Sequence, residues 1–239
     1  MLELTGLTGG IYRIFQWVSR FSLTNILWLL FNIPVIYLII NVLYLENSYS
    51  MIFNIVILSI LLPFLFFPAT TAMFGVVRQW VVEDEEAAIF KSFLKFYKQN
   101  YINSLIGGFI IVPVWGFSIF NFIYYSGKLG IMVYIIFIIV TMFLLVITCH
   151  FFAYNVHFEM RWFVSLKNAV YLCFGNVFHS IGIALTSFLI FYASFFLATF
   201  FIPFLMGSLF AFTAFLGYYY SLRRVQTMNH KKMNEIVSN

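Results

Sequence analysis

The sequence predicts an all-α fold, a polytopic membrane helix bundle with six transmembrane helices. Hydrophobic residues make up 63% of the 239-residue chain and charged residues only 9%, whereas soluble domains carry roughly 25% charged residues. Long stretches contain no Asp, Glu, Lys or Arg, and each exceeds the roughly 20 apolar residues that cross a bilayer core. They lie between Arg20 and Glu46, Glu46 and Arg78, Lys98 and Lys128, Lys128 and Glu159, and Lys167 and Arg223.

The uncharged stretches give the spans in chain order. We expect them at about 21–44, 50–67, 102–124, 130–154, 179–200 and 203–222. The last stretch must hold two spans, because a single helix over it would be about 66 Å long at 1.5 Å per residue. Pro203 follows a short uncharged reversal and suits the first turn of the returning helix. Tyr218, Tyr219 and Tyr220 precede Arg223, and we interpret them as an interfacial anchor.

The distribution of basic residues predicts the orientation of the chain in the membrane. With this threading, 12 of the 13 lysines and arginines fall on one side, and only Lys128 falls on the other. Because cytoplasmic loops carry the excess of positive charge, we expect both termini in the cytoplasm. The chain would then be a single integral membrane domain, residues 1–239, surrounded by the lipid bilayer. Its cytoplasmic segments would be 1–20, 68–101, 155–178 and 223–239.

An amphipathic segment precedes each pair of spans, which predicts three hairpins, each preceded by a cytoplasmic amphipathic helix. The first covers about 6–20 and the third, which is less regular, about 159–176. In the second, Lys91, Lys95 and Lys98 fall within about 60° of one another on a helix, opposite an apolar face. We interpret these lysines as a membrane-surface or partner contact, worth about 1 kcal/mol per residue with anionic headgroups.

Three short segments resemble the core of the YesL family of small bacterial multi-pass proteins, a domain of unknown function. They are Pro68-Ala69-Thr70-Thr71-Ala72-Met73-Phe74, Arg78-Gln79-Trp80 and Ile89-Phe90-Lys91-Ser92-Phe93. The resemblance covers residues 5–108. It implies a place in a bacterial cell (plasma) membrane and an accessory role in carbohydrate uptake, beside a sugar-uptake transporter complex. It carries over no catalytic residue.

Two sets of residues are candidates for a functional site. Pro68, Ala69, Thr70 and Thr71 are expected to close span two, forming with Arg78 and Trp80 a hinge or ligand-lining turn; the alternative is a proline that simply starts the next helix. Asn25, Asn103 and Asn121 are candidates for a polar lining. The alternative that we favour for them is interhelical hydrogen bonding, worth about 0.6–2 kcal/mol each.

The sequence offers little chemistry. His150 and His157 are two helical turns apart, so their imidazoles would be roughly 10 Å apart and could not share a metal ion with Glu159. We interpret both histidines as hydrogen-bonded interfacial residues, and Cys149 and Cys173 as packing residues. We expect no enzyme activity, no cofactor and no metal. We also expect no nucleic-acid partner, because the net charge of +5 comes from basic residues that flank the spans.

The sequence thus favours an accessory or regulatory partner of carbohydrate uptake. The alternative is a small membrane transporter or facilitator for a neutral solute. Coupling to ions is less favoured, because coupled transporters place ionisable residues inside the membrane and the spans hold few. A membrane enzyme is least favoured, and homo-oligomerisation is left open.

Overall fold

The structure is a computed structural model that describes residues 7–44, 48–83, 88–125, 130–158 and 160–238. Within those ranges the chain forms α-helices and short π-helical turns, which confirms the all-α prediction for the described residues. The α-helices are α1 (Leu7–Phe31), α2 (Ile33–Tyr44), α3 (Ser48–Leu61), α4 (Phe67–Arg78), α5 (Ile89–Gln99), α6 (Tyr101–Tyr125), α7 (Ile131–Phe158), α8 (Trp162–Gly175), α9 (Val177–Tyr192) and α10 (Gly207–Ser238).

The first predicted span is a bent pair of helices. The helix α1 is unbroken, and α2 leaves it at an angle of 73°. Pro34 explains the break, because in a continuous helix its ring would clash with the preceding turn and a backbone hydrogen bond would be lost. In the first turn of α2 the missing N–H costs nothing. The segment predicted as an amphipathic helix, about 6–20, is therefore continuous with the start of the predicted span 21–44, which bends at residue 32. Its amphipathic role stays a prediction.

The second predicted span continues through the residues that we expected to form a turn. One apolar helix over Tyr49–Glu83 is built from α3, α4 and two π-helical turns, Leu62–Phe66 and Gln79–Glu83. The first wide turn lets the helix pass its prolines, because the N–H of Phe67 bonds to the carbonyl of Leu62, five residues back instead of four. Residues 68–71, expected to form a turn, are therefore helical, and Pro68 lies in the first turn of α4, as in the alternative interpretation.

The remaining helices lie close to their predicted positions. The helices α6 and α7 cover the spans expected at 102–124 and 130–154. The chain reverses at 198–201, between a π-helical turn that extends α9 and a second one, Ile202–Met206, that leads into α10. Pro203 lies in the first turn of the returning helix, as predicted. The helices α5 and α8 are separate short helices that precede α6 and α9.

The described helices are those of a multi-pass membrane protein. Five stretches are long and apolar enough to cross a membrane, and the bent pair α1 and α2, counted as one crossing, makes six. The five are Tyr49–Glu83, Tyr101–Tyr125, Ile131–Phe158, Val177–Leu197 and Ile202–Met228. Large apolar side chains such as Phe117 and Ile131 face outward, 71% and 77% exposed, where lipid would cover them. The side on which the termini lie stays a prediction.

The helix α4 lies at the centre of the bundle. Its residues are buried except for the last, Arg78, and it contacts α1, α5, α6, α7 and α10. Ala69 and Ala72 have no exposed surface, so neighbouring helices approach its backbone closely. Every candidate site therefore has to be located relative to this helix.

Candidate functional site

The predicted functional turn is a buried stretch of α4 that joins it to two neighbours. Pro68, Ala69, Thr70 and Thr71 are all buried. The indole Nε1 of Trp28, on α1, donates to Thr70 Oγ1 at 3.0 Å. Thr71 makes its polar contact with α6, as described below. Thr70 and Thr71 therefore bond α4 to neighbouring helices. A ligand-lining function of the four residues stays a prediction, although they form a helix and not a turn.

Arg78 and Trp80 lie where α4 ends, and their surroundings differ. Arg78 Nη1 donates to Glu83 at 2.5 Å, while its Nε is buried and has no hydrogen-bond partner among the described residues. The ring of Trp80 packs edge-on against those of Trp17 and Phe21, with centroids 6.0 and 5.6 Å apart. Trp80 thus attaches α1 to the end of α4, whereas Arg78 keeps unused hydrogen-bonding capacity inside the protein.

The three lysines of α5 lie on its exposed side. Lys91, Lys95 and Lys98 are exposed, whereas Phe96 on the opposite face is buried. Phe96 packs on Gly75 of α4, where an added Cβ would lie 2.3 Å from the Cγ of the ring. The helix α5 is therefore held against α4 by a contact that requires glycine. This contact fixes the position of the helix that carries the three lysines. Their contact with a membrane surface or a partner stays a prediction.

Asn25 clamps the beginning of α10. It is fully buried, and its Nδ2 donates to the carbonyls of Ile202 at 3.0 Å and Pro203 at 2.7 Å. Its Oδ1 accepts from the N–H groups of Gly207 at 2.9 Å and Ser208 at 3.2 Å. One amide therefore pairs backbone groups that a π-helical turn and the start of a helix leave open. Interhelical bonding, the alternative that we favoured, describes Asn25.

The other two candidate asparagines have different surroundings. Asn103 Nδ2 donates to the carbonyl of Met160 at 3.0 Å, which joins α6 to the residues before α8. Asn121 Nδ2 donates to the carbonyl of Phe117, one turn earlier on its own helix, at 2.7 Å. Asn121 also borders a largely apolar groove of about 550 Å³ between α6 and α7. The structure thus gives each asparagine its own partner and does not bring the three together.

A buried polar network that the sequence analysis missed joins α4, α6 and α7. Ser104 Oγ lies 2.7 Å from Thr71 Oγ1 and 2.8 Å from the carbonyl of Asn100. Asn155 Nδ2 donates to Ser104 Oγ at 3.1 Å. A hydroxyl has one hydrogen, so Ser104 donates to one of its two neighbours, and Thr71 donates to Ser104 when Ser104 donates to the carbonyl. The sequence signal for it was weak, because Thr71, Ser104 and Asn155 lie far apart along the chain.

A second buried cluster lies between α7 and α10. His150, Tyr154 and His157 are spaced four and three residues apart, so they share one face of α7. All three contact the ring of Tyr218, on α10, with centroid distances of 6.0, 6.3 and 5.8 Å. His150 and Tyr218 have no exposed surface, while His157 is partly exposed. The tyrosine therefore lies between two imidazoles that are too far apart to meet directly.

Two interpretations of these residues were wrong. His150 is an interior residue, and neither of its ring nitrogens has a hydrogen-bond partner among the described residues. Tyr218 is also interior and cannot anchor the helix at the interface. His157 Nδ1 and the Tyr218 hydroxyl are likewise buried without a partner there. No group of His, Cys, Asp or Glu in the described ranges could hold a metal ion, and Glu159 lies outside those ranges.

The cysteines are packing residues, as the sequence indicated. Cys149 and Cys173 are free and buried. On α8, burial raises the pKa of the Cys173 thiol and outweighs the opposite effect of a hydrogen bond with Ser180. A raised pKa keeps the thiol protonated and a poor nucleophile. Neither cysteine therefore suggests a reactive site.

The first half of the chain is similar to known proteins. Residues 21–122 match the family described as "Protein of unknown function, DUF624". The "Uncharacterized protein YesL" of Bacillus subtilis (strain 168) is 29% identical over 112 residues, 47% of this chain and 42% of that protein. The "Uncharacterized protein YteU" of the same organism is 25% identical over 113 residues, 47% of this chain and 40% of that protein. The resemblance to the YesL family is thereby confirmed.

This chain spans about two fifths of the length of the curated relatives that it matches. No solved structure matches it. The DUF624 match contains Asn25, Thr71 and Ser104, whereas the cluster around Tyr218 lies beyond it. The family resemblance therefore bears on the core around α4 and is silent on the second cluster.

Proposed function

We propose that this membrane protein acts without catalysis, as an accessory or regulatory partner of carbohydrate uptake. The observation that carries the proposal is the filled centre of the bundle, where α4 is buried on all sides. Phe74, Phe93 and Phe151 have no exposed surface. A protein that moves a polar solute lines its route with hydrogen-bonding groups. The packed centre favours action through contacts with another protein.

Carbohydrate uptake as the setting rests on the YesL resemblance alone. The surface that best suits a partner is the lysine face of α5, Lys91, Lys95 and Lys98. These side chains are exposed, and α5 is fixed by the contact of Phe96 with Gly75. A rigid row of cations favours a partner with an acidic surface, because complementary charge speeds and orients association.

Site-specific crosslinking in native membranes tests this proposal. A photoreactive residue at Lys95 is compared with one at Tyr171, an exposed position on α8. We expect Lys95, but not Tyr171, to trap a subunit of a sugar-uptake transporter that mass spectrometry identifies. Equal capture at both positions, or capture of lipid alone at Lys95, would contradict the proposal.

The proposed cytoplasmic position of α5 has its own test. Lys95→Cys is labelled with a maleimide that cannot enter cells, and both native cysteines are buried and give little background. We expect labelling only after the membrane is permeabilised, because the excess of basic residues favours the cytoplasmic side. Labelling of intact cells would reverse the threading and remove the basis for a cytoplasmic partner.

A facilitator for a neutral solute is the second candidate. It is favoured by the buried polar atoms between α7 and α10 that have no partner among the described residues. Polar groups of this kind mark solute pathways in membrane proteins. Purified protein in liposomes distinguishes the two candidates. We expect no oligosaccharide uptake, and saturable uptake would favour the facilitator.

A further inference from the structure

We propose that His157, Tyr218 and His150 form a proton relay between α7 and α10, leading from the partly exposed imidazole to the buried one. The relay rests on geometry and does not depend on the proposed function. His157 is partly exposed, whereas Tyr218 and His150 have no exposed surface. An ionisable side chain kept inside a membrane protein is costly and marks a functional site more often than a structural one.

The distances fit a relay with the tyrosine in the middle. The two imidazoles are separated by two turns of α7, roughly 10 Å, which is too far for a direct hydrogen bond. Each imidazole packs against the ring of Tyr218, with distances between ring centroids of 5.8 Å for His157 and 6.0 Å for His150. The relay requires side-chain motions that bring a ring nitrogen to about 3 Å from the phenolic oxygen.

Each of the three groups has at least one buried polar atom without a hydrogen-bond partner among the described residues. His150 Nδ1 and Nε2, His157 Nδ1 and the Tyr218 hydroxyl are buried and have no partner among the described residues. A neutral imidazole carries one donor and one acceptor, and a phenol carries both. A proton from solvent can therefore bind His157, whose N–H then donates to Tyr218 while the tyrosine proton passes to His150. Return of the proton by the reverse path restores all three groups.

The charged and titratable groups around the relay come from three helices. Arg78 of α4 is near enough to His157 and Tyr218 to act on both electrostatically, and His179 of α9 acts on His150. The carboxylate of Glu83 is paired with Arg78. The phenol of Tyr154 also lies against Tyr218. Since the carboxylate of Glu83 is paired with Arg78, it does not form an ion pair with either imidazole, which suits transfer of a proton better than storage.

Tyr154 offers a matched control for the relay. It shares the same face of α7, and its ring also contacts Tyr218, at 6.3 Å. Its hydroxyl, however, accepts a hydrogen bond from Asn168 Nδ2 at 2.9 Å and is already engaged. Tyr154→Phe and Tyr218→Phe remove the same atom from neighbouring rings, but only the second removes a member of the relay.

The test measures proton exchange between water and the ring of His150. The full chain, with isotope-labelled histidine, is placed in lipid nanodiscs; it contains four histidines, which single substitutions assign. In Tyr218→Phe we expect exchange at His150 to slow by about ten-fold or more, because local opening of the helices is then the remaining route. Tyr154→Phe should leave the rate within about two-fold of the unsubstituted protein, since its hydroxyl lies outside the relay.

A second variant keeps the test decisive if Tyr218→Phe perturbs the fold. His157→Gln removes the outer member of the relay and leaves both Tyr218 and His150 in place. We expect the same slowing at His150, from a residue two helical turns away. An unchanged rate at His150 in both His157→Gln and Tyr218→Phe, or equal slowing in Tyr154→Phe, would overturn the relay.

Discussion

The two halves of this chain treat their buried polar groups differently. Among the described residues, three buried side-chain polar atoms without a hydrogen-bond partner lie in residues 21–122 and ten lie beyond them. The first half is also the part that matches DUF624. An unpaired buried polar group costs about 1–3 kcal/mol. The comparison teaches that the first half is organised for packing, while the second keeps polar groups that packing does not need.

The pairing in the first half explains why it can serve as a scaffold. Asn25 satisfies four backbone groups, Trp28 bonds Thr70, and Thr71 bonds Ser104. Each bond crosses from one helix to another, so together they fix α1, α4, α6 and α10. Fully paired polar networks make a core rigid and unique. Four substitutions, taken from the largest expected effect to the smallest, can break or sharpen this contrast.

Asn25→Ala should have the largest effect. It leaves two carbonyls and two N–H groups at the start of α10 unpaired, so we expect a loss of about 3 kcal/mol in the free energy of unfolding. Denaturation in mixed detergent micelles measures it. Asn121→Ala is the matched control, because that side chain bonds only to the carbonyl one turn back on its own helix, and it should cost much less. Equal losses for the two variants would contradict the clamp.

Gly75→Ala comes next. The new methyl group would overlap the ring of Phe96, which lies 2.3 Å from the Cβ position, so α5 must shift on α4. We expect a loss of about 2 kcal/mol, as for other overpacked cores. Gly182→Ala is the control, since nothing lies within 4 Å of its Cβ position. That variant should be neutral or slightly stabilising, because alanine favours a helix more than glycine does.

Ser104→Ala should have a smaller effect. It removes the central hydroxyl of the network, leaving Asn155 Nδ2 and Thr71 without this partner. Hydrogen bonds between membrane helices are worth about 0.6–2 kcal/mol, so we expect a loss of about 1 kcal/mol. Ser59→Ala, at an exposed serine that bonds only within its own helix, is the control. A loss at Ser104 no greater than at Ser59 would mean that the network adds nothing to stability.

The sequence predicted the membrane class and most helix positions, because uncharged length and the turn before Pro203 are local signals. It did not predict the break at Asn32 or the continuous helix through Pro68. Whether a proline ends or bends a helix depends on whether nearby residues can adopt a wide turn, as Leu62–Phe66 do. The partners of Asn25, at residues 202–208, could not be predicted either, since they depend on how distant helices pack.

The sequence also predicted the spacing of the two histidines, but not the residue that both of them contact. It placed His150 and His157 two turns apart on one helix, which ruled out a shared metal ion. The residue that connects them, Tyr218, is distant along the chain and was assigned to an interfacial group with its neighbours. Only the packing of α10 against α7 brings the three together. Sites whose residues lie far apart along the chain leave no contiguous motif to find.

Tyr218→Phe should cause the smallest loss of stability, and it sharpens the comparison most. Its hydroxyl is buried and has no partner among the described residues, so we expect its removal to leave the free energy of unfolding unchanged or to raise it by about 1 kcal/mol. Tyr154→Phe removes an equivalent hydroxyl that Asn168 does bond, and should cost about 1 kcal/mol. The test is whether the loss of stability in Tyr218→Phe is smaller than that in Tyr154→Phe. A larger loss at Tyr218 would show that its hydroxyl has a hydrogen-bond partner in the membrane, and it would contradict the contrast between the two halves.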